Sequence, residues 1–183
     1  MNLDSETGIS VMKINEELDS GPVSNIYKIN LDQNLNAQEV SEKLSLLAAN
    51  KILDNVDDIL DGKLKFNNQD HSKATYAKKI FKSEGQINWN DDALKIIGKI
   101  NGLYPSPGAF FIFDGERYKI LKAEIGNGIG KIGEVISNKL EVACSNNQSI
   151  KILEIQRQGK KPQKVSEFML GSKIKKGSII LNV

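Results

Sequence analysis

The chain has 183 residues, 39% hydrophobic and 26% charged, and its 25 basic and 23 acidic side chains leave a net charge of +2. That is an ordinary globular balance, with length for one domain or two small ones. It excludes a membrane span, since no apolar run approaches the roughly 18 residues needed, and an internal disulfide framework, since Cys144 is the single cysteine and fits a reducing, cytoplasmic compartment.

The opening MNLDSETG has neither a basic nor an apolar region, so no leader or anchor is expected. GISVMKIN (8–15) alternates partially and predicts a strand buried on at least one face; SNIYKINL (24–31) reads the same way. Between them EELDSGPV (16–23) breaks the ladder, because Gly21 is free to turn and Pro22 cannot extend pairing. Asp19 before Ser-Gly is common turn chemistry. Asn36 with Glu39 resembles a capping box, and Val40, Leu44, Leu47, Ala48, Ile52, Val56 and Ile59 recur at helical spacing up to a stop at Gly62. This predicts one helix over about 37–61, its apolar stripe packed on a sheet.

KLKFNNQDHSKATYAKKIFKSEG then runs about twenty residues with little periodicity, as a linker or functional loop does. The one histidine, His71, stands in it and reads as a solvated residue, so no metal centre is expected. Asn90 or Asp91 is expected to cap a short helix carrying Leu94, Ile97 and Ile100, and YPSPGA (104–109) halts it. From Ala109 the pattern is antiparallel β. AFFIF and RYKILKAEI flank an Asp114-Gly115 turn, and GEVIS, LEVAC, SIKILEI, a short helix at VSEFML and a closing SIILNV follow. About six short strands predict a small barrel of oligonucleotide-binding (OB) type.

Charge is placed asymmetrically. Residues 1–80 hold nine lysines against thirteen acids, whereas 81–183 hold sixteen basic residues against ten acids. The densest basic run, QRQGKKPQKVSEFMLGSKIKKG (156–177), carries Arg157, Lys160, Lys161, Lys164, Lys173, Lys175 and Lys176 against Glu167 alone. Such a run is either a solvated surface or a phosphate-binding face, and its scarcity of aromatics favours backbone contact over base readout. Lys73, Lys78, Lys79 and Lys82 form a second basic group along the linker.

SETGISVMKINEELDSGPV, ATYAKKIFKSEGQINW, INGLYPSPGAF and QRQGKKP with FMLGSKIKKG occur in the order and spacing of the methionyl-tRNA formyltransferase family, which this sequence resembles along essentially its whole length. The resemblance implies an α/β remnant of a Rossmann-like formyltransferase domain over 1–65, a linker over 66–85 and an all-β OB-like barrel with short helices over 86–183. It implies transfer of a formyl group from 10-formyltetrahydrofolate to the amino group of methionyl initiator tRNA, with no metal. Of the family's Asn-His-Asp set only the Asp has a counterpart, Asp19; the Asn, the His and a Ser-Leu-Leu-Pro loop belong to earlier sequence, so the isolated chain is expected to be inactive.

The resemblance further implies that backbone at Glu16, Glu17 and Leu18 lines the folate pterin pocket. Lys78, Lys79, Arg157, Lys160 and Lys161 match positions facing tRNA, with Lys82 and Lys164 their neighbours in the two basic groups. Three positions depart from the family: Glu17 stands for a usual Gly, Ser20 for Thr, and Asn101 for an Arg. A full-length member is expected to be monomeric, and a shortened folate domain to self-associate through an uncovered apolar face. The alternatives are a relative acting on an amino sugar or hydrolysing formyl-folate, and a stand-alone RNA-binding module.

Overall fold

A computed structural model describes residues 1–32 and 34–181. The chain divides into two compact units, one of Met1–Leu3, Gln33–Gln38 and Ile80–Val183, the other of Asp4–Asp32 and Glu39–Lys79.

In the second unit β1 (Glu6–Met12) and β2 (Val23–Asn30) pair antiparallel, with Glu6 opposite Asn30 and a bulge between Ser10 and Met12. Helix α1 (Ala37–Leu60) follows. It ends as the glycine predicts: Gly62 takes φ +66° and donates to Ile59 O at 3.2 Å, while Lys63 N donates to Asp58 O at 2.9 Å, the paired bonds of a Schellman motif. The expected burial of its stripe is corrected. No residue of α1 is buried, and Ile52, Val56 and Ile59 are exposed. Val40, Leu44, Leu47 and Ala48 are half-buried, and near Lys51 and Asn55 the contacts with β2 are polar: Asn55 Nδ2 donates to Tyr27 Oη at 2.9 Å, Asn25 Nδ2 donates to Asn55 Oδ1 at 3.0 Å, and Lys51 Nζ lies 5.3 Å from the Tyr27 ring centroid.

The first unit holds the apolar core. Helix α2 (Ala93–Gly102) is capped by Asp92, whose side chain accepts from Lys95 N at 2.8 Å, and not by Asn90 or Asp91. The cap falls there because the apolar face begins at Ala93, which is fully buried, and Asp91 is occupied by an ion pair with Lys95 at 2.6 Å. Strands β3 (Ala109–Phe113) and β4 (Glu116–Gly126) form the predicted hairpin. Asp114 and Gly115 both take positive φ, as a two-residue turn of this hand requires.

Strand β5 (Glu141–Cys144), β6 (Gln148–Arg157) and the two-residue β7 (Gln163–Lys164) complete a curled antiparallel sheet of order β3-β4-β6-β5, with β7 also on β6. Bulges between Ile120 and Ala123 bend β4 against β6. Helix α3 (Val165–Gly171) covers the end of β6. Trp89, Phe111, Tyr118 and Phe168 form a continuous aromatic row at centroid distances of 6.1, 5.4 and 5.8 Å through the core.

Two expected strands are corrected. GEVIS and SIILNV form isolated bridges in place of strands, Val135 with Val142 and Glu134 with Ile179, although backbone bonds such as Ile136 N to Glu141 O at 2.8 Å and Val135 N to Ser178 O at 2.9 Å tie both segments to their neighbours. Gly133 and Gly177, at φ +79° and +89°, turn the chain at the start of each segment. Residues 182 and 183 of the expected closing strand lie outside the described residues.

Candidate functional site

The connection between β1 and β2 is a shaped loop. Lys13 N donates to Pro22 O at 3.0 Å, and a Cβ at Gly21 would lie 1.7 Å from Lys13 O, so only glycine lets the backbone close. The single hydroxyl hydrogen of Ser20 has two acceptors in reach, Asn15 Oδ1 at 2.9 Å and Glu17 O at 3.1 Å. Inside that frame Asp19 takes φ +54°, a region that non-glycine residues enter at a cost, and its side chain is exposed. Glu16, Glu17 and Leu18 are exposed as well, Leu18 to 92%. The loop thus offers backbone and the three carboxylates of Glu16, Glu17 and Asp19 outward.

The loop has a partner that sequence reasoning missed. Gln69 Nε2 donates to Asp19 O at 2.8 Å and to Gly21 O at 2.7 Å. Nearby, Asn67 and Val23 exchange backbone bonds of 2.8 and 2.9 Å, and Lys13 Nζ lies 4.6 Å from the Phe66 ring centroid. No local pattern in NNQD announces this, because the contact spans 48 to 50 residues.

The basic residues fall into two groups. Lys78 and Lys79 lie exposed in an extended segment, and Lys82 opens a short 3₁₀ turn, Lys82–Gly85. Arg157, Lys160, Lys161 and Lys164 are brought together around the β6–β7 turn. Gly159 at φ +71° and the bond from Lys160 N to Arg157 O at 3.0 Å set that turn, and Gln156 Nε2 donates to Lys160 O at 2.9 Å. Lys160, Lys161 and Lys164 are exposed; Lys164 stands opposite Glu154 in register.

Arg157 differs from these lysines. It forms a hydrogen-bonded ion pair with Glu116, and Tyr118 Oη donates to the other Glu116 oxygen at 2.9 Å. The hydrogen bond from Arg157, and then that from Tyr118, hold the Glu116 carboxyl below the usual carboxylate range. Burial, aided by Glu116, pushes the Tyr118 hydroxyl up to about 12. Beside them the Arg117 guanidinium stacks 3.7 Å from the Phe110 ring centroid. Among the described residues no group of three or more His, Cys, Asp or Glu could hold a metal ion, and no helix is long and apolar enough to cross a membrane. Burial raises the Cys144 thiol to about 11, which leaves it unreactive at neutral pH.

The formyl transferase, C-terminal domain, family model matches residues 79–173. The methionyl-tRNA formyltransferase of Pelagibacter ubique (strain HTCC1062) is 66% identical over 183 residues, 100% of this chain and 59% of its own length. That of Chelativorans sp. (strain BNC1) is 35% identical over 179 residues, 96% of this chain and 57% of its own length. The chain therefore spans little more than half the length of these relatives. Among solved structures, HypX from Aquifex aeolicus in complex with tetrahydrofolic acid matches with a TM-score of 0.71 at 16% identity, covering 92% of this chain and 31% of HypX, a likeness of fold. With its curled sheet, α2 and α3 inside the matched span, the chain belongs to the formyl transferase C-terminal domain family.

Proposed function

We propose that this chain is the C-terminal portion of a cytoplasmic methionyl-tRNA formyltransferase, which moves a formyl group from 10-formyltetrahydrofolate to the amino group of methionine on initiator tRNA. The observation that carries the reading is 66% identity to a protein of that name along all 183 residues. Residues 1–65 are then the end of a Rossmann-like formyltransferase domain, 66–85 a linker, and 86–183 an OB-like barrel. The exposed leucines of α1, Leu46, Leu53 and Leu60, support self-association of the isolated chain.

The chemistry asks for more than this chain carries. The amine nitrogen attacks the formyl carbon, a tetrahedral oxyanion forms, and as it collapses the bond from carbon to the folate nitrogen breaks, the proton given up by the amine ending on that departing nitrogen. Asp19 supplies the carboxylate that orients and polarises a histidine; that histidine and an oxyanion-holding asparagine come from upstream sequence. The outward backbone at Glu16 to Leu18 suits the pterin edge of the donor, and the exposed Lys78, Lys79, Lys82, Lys160, Lys161 and Lys164, with Arg157, suit tRNA phosphates.

Two proteins test this: the 183-residue chain, and a fusion of it to the upstream portion of the Pelagibacter relative. The chain alone should form no formyl-methionyl-tRNA, the fusion should, and Asp19→Asn in the fusion should lower kcat by about 100-fold or more. Transfer by the chain alone, or a fusion indifferent to Asp19→Asn, would refute the reading.

A further inference from the structure

The geometry points to Gln69 as a positioning residue for Asp19, acting through the backbone of the loop that carries it. This rests on the proposed catalytic role of Asp19.

A loop that must aim one carboxylate has two weaknesses here. Its central residue sits at φ +54° without being glycine, and such a conformation persists only when its surroundings over-determine it. The loop is also exposed, from Lys13 through Asp19, so packing does not hold it. Its own bonds, Lys13 N to Pro22 O and Ser20 Oγ to Asn15 or Glu17, close the two ends and the middle. None of them touches the Asp19 peptide.

Gln69 does. Its single Nε2 gives both hydrogens, one to Asp19 O at 2.8 Å and one to Gly21 O at 2.7 Å, so the three residues around Ser20 are gripped from one point. A primary amide is suited to this, because two divergent N–H groups on one nitrogen meet two carbonyls that face the same way. Rotation of the Asp19 peptide, which would swing the carboxylate away, breaks the first bond.

Gln69 is itself anchored. Two residues earlier Asn67 is paired to Val23 through both backbone bonds, and the Phe66 ring lies under Lys13 at the loop's first residue. Residues 66–69 therefore act as a strap laid across both roots of the loop, with Gln69 at its working end. The strap and loop belong to the same compact unit. Replacement by Glu keeps length and shape, removes both donors, and sets a carboxylate oxygen against two carbonyl oxygens. Gln69→Glu is thus the sharper variant and Gln69→Ala the plainer one.

Backbone hydrogen exchange of the 183-residue chain reads the grip without any catalysis. Both variants should speed exchange of the Lys13 amide, which donates to Pro22 O across the ends of the loop, by about 10-fold or more, and leave amides of β6 unchanged. In the Pelagibacter fusion the same variants should lower kcat with KM for methionyl-tRNA and the melting temperature unchanged, with Gln69→Glu the worse of the two. Exchange of the Lys13 amide unaltered by both variants overturns the inference. So does a uniform fall in kcat, affinity and melting temperature, which would mark a merely structural residue. If Asp19→Asn leaves the fusion active while Gln69→Glu still loosens the loop, the catalytic reading fails and the grip stands.

Discussion

Tyr118 shows how one side chain joins core to surface. Its ring is 4% exposed and stacked on Phe111, yet its hydroxyl reaches Glu116, which Arg157 pairs from the other side. Burial first, and the Glu116 carboxylate second, favour the neutral phenol, moving its pKa from 10.0 to about 12. A folded value above the unfolded one contributes stability that is complete below about pH 10 and lost as pH rises toward 12. Two units correspond to about 2 to 3 kcal/mol. Urea midpoints of the native protein should therefore fall between pH 10 and 12 more steeply than those of Tyr118→Phe, although the variant starts about 1 kcal/mol lower for want of the hydrogen bond. Parallel declines would show that lysine titration, not Tyr118, sets the alkaline limit.

At the scale of elements, what was legible followed from local rules. The Asp114-Gly115 hairpin and the Gly62 helix stop are each dictated by a residue able to take positive φ, and both are found. The short helix at VSEFML is found as α3, with Val165 and Phe168, three residues apart, on its buried side. The α1 stripe did not follow, because periodicity reports amphipathicity and not what lies opposite. GEVIS and SIILNV have strand composition and are hydrogen-bonded to their neighbours, but next to the turns at Gly133 and Gly177 the pairing stays at isolated bridges. Of the candidate site, Asp19 was visible through the motif around it, while Gln69 was not, since a side chain gripping a distant backbone leaves no spacing to read.

The β6–β7 turn sharpens the basic cluster in the same way. Composition treats Arg157 and its lysines alike, but Arg157 is committed to Glu116 and Lys160 and Lys161 are exposed. If the turn meets tRNA phosphates, replacing both lysines by Ala should weaken binding across tRNA sequences and reduce the slope of log affinity against log salt by about 1.5 to 2. Arg157→Ala should change that slope less, while exposing Glu116 to protonation nearer its ordinary range as its strongest hydrogen-bond partner is removed. Binding titrations at several salt concentrations separate these outcomes; equal slopes for all variants would place the phosphates elsewhere.

Across the whole molecule the apolar core is unevenly shared. Every buried large hydrophobic residue among those described, from Ile87 to Ile180, lies in the unit containing Ile80–Val183. The other unit has a two-stranded ribbon and a 24-residue helix with nothing buried, elements that are marginal in water without further packing. Two consequences can be read separately, because Trp89 is the single tryptophan and is fully buried in the first unit, whereas α1 supplies 24 helical residues against ten in α2 and seven in α3. In urea, helical ellipticity should fall in two steps, the first without a red shift of Trp89 emission and the second together with it. Trypsin should cut first among Lys43, Lys51, Lys63, Lys65, Lys73, Lys78 and Lys79, leaving a resistant fragment that begins near Ile80 and keeps the native Trp89 emission. Coincident transitions, or loss of Trp89 burial with the first cuts, would mean that the core of the first unit depends on the second. Joining the upstream portion of the Pelagibacter relative should move the first step to higher urea, since the second unit then gains the core it lacks, and leave the second step with its Trp89 signal in place.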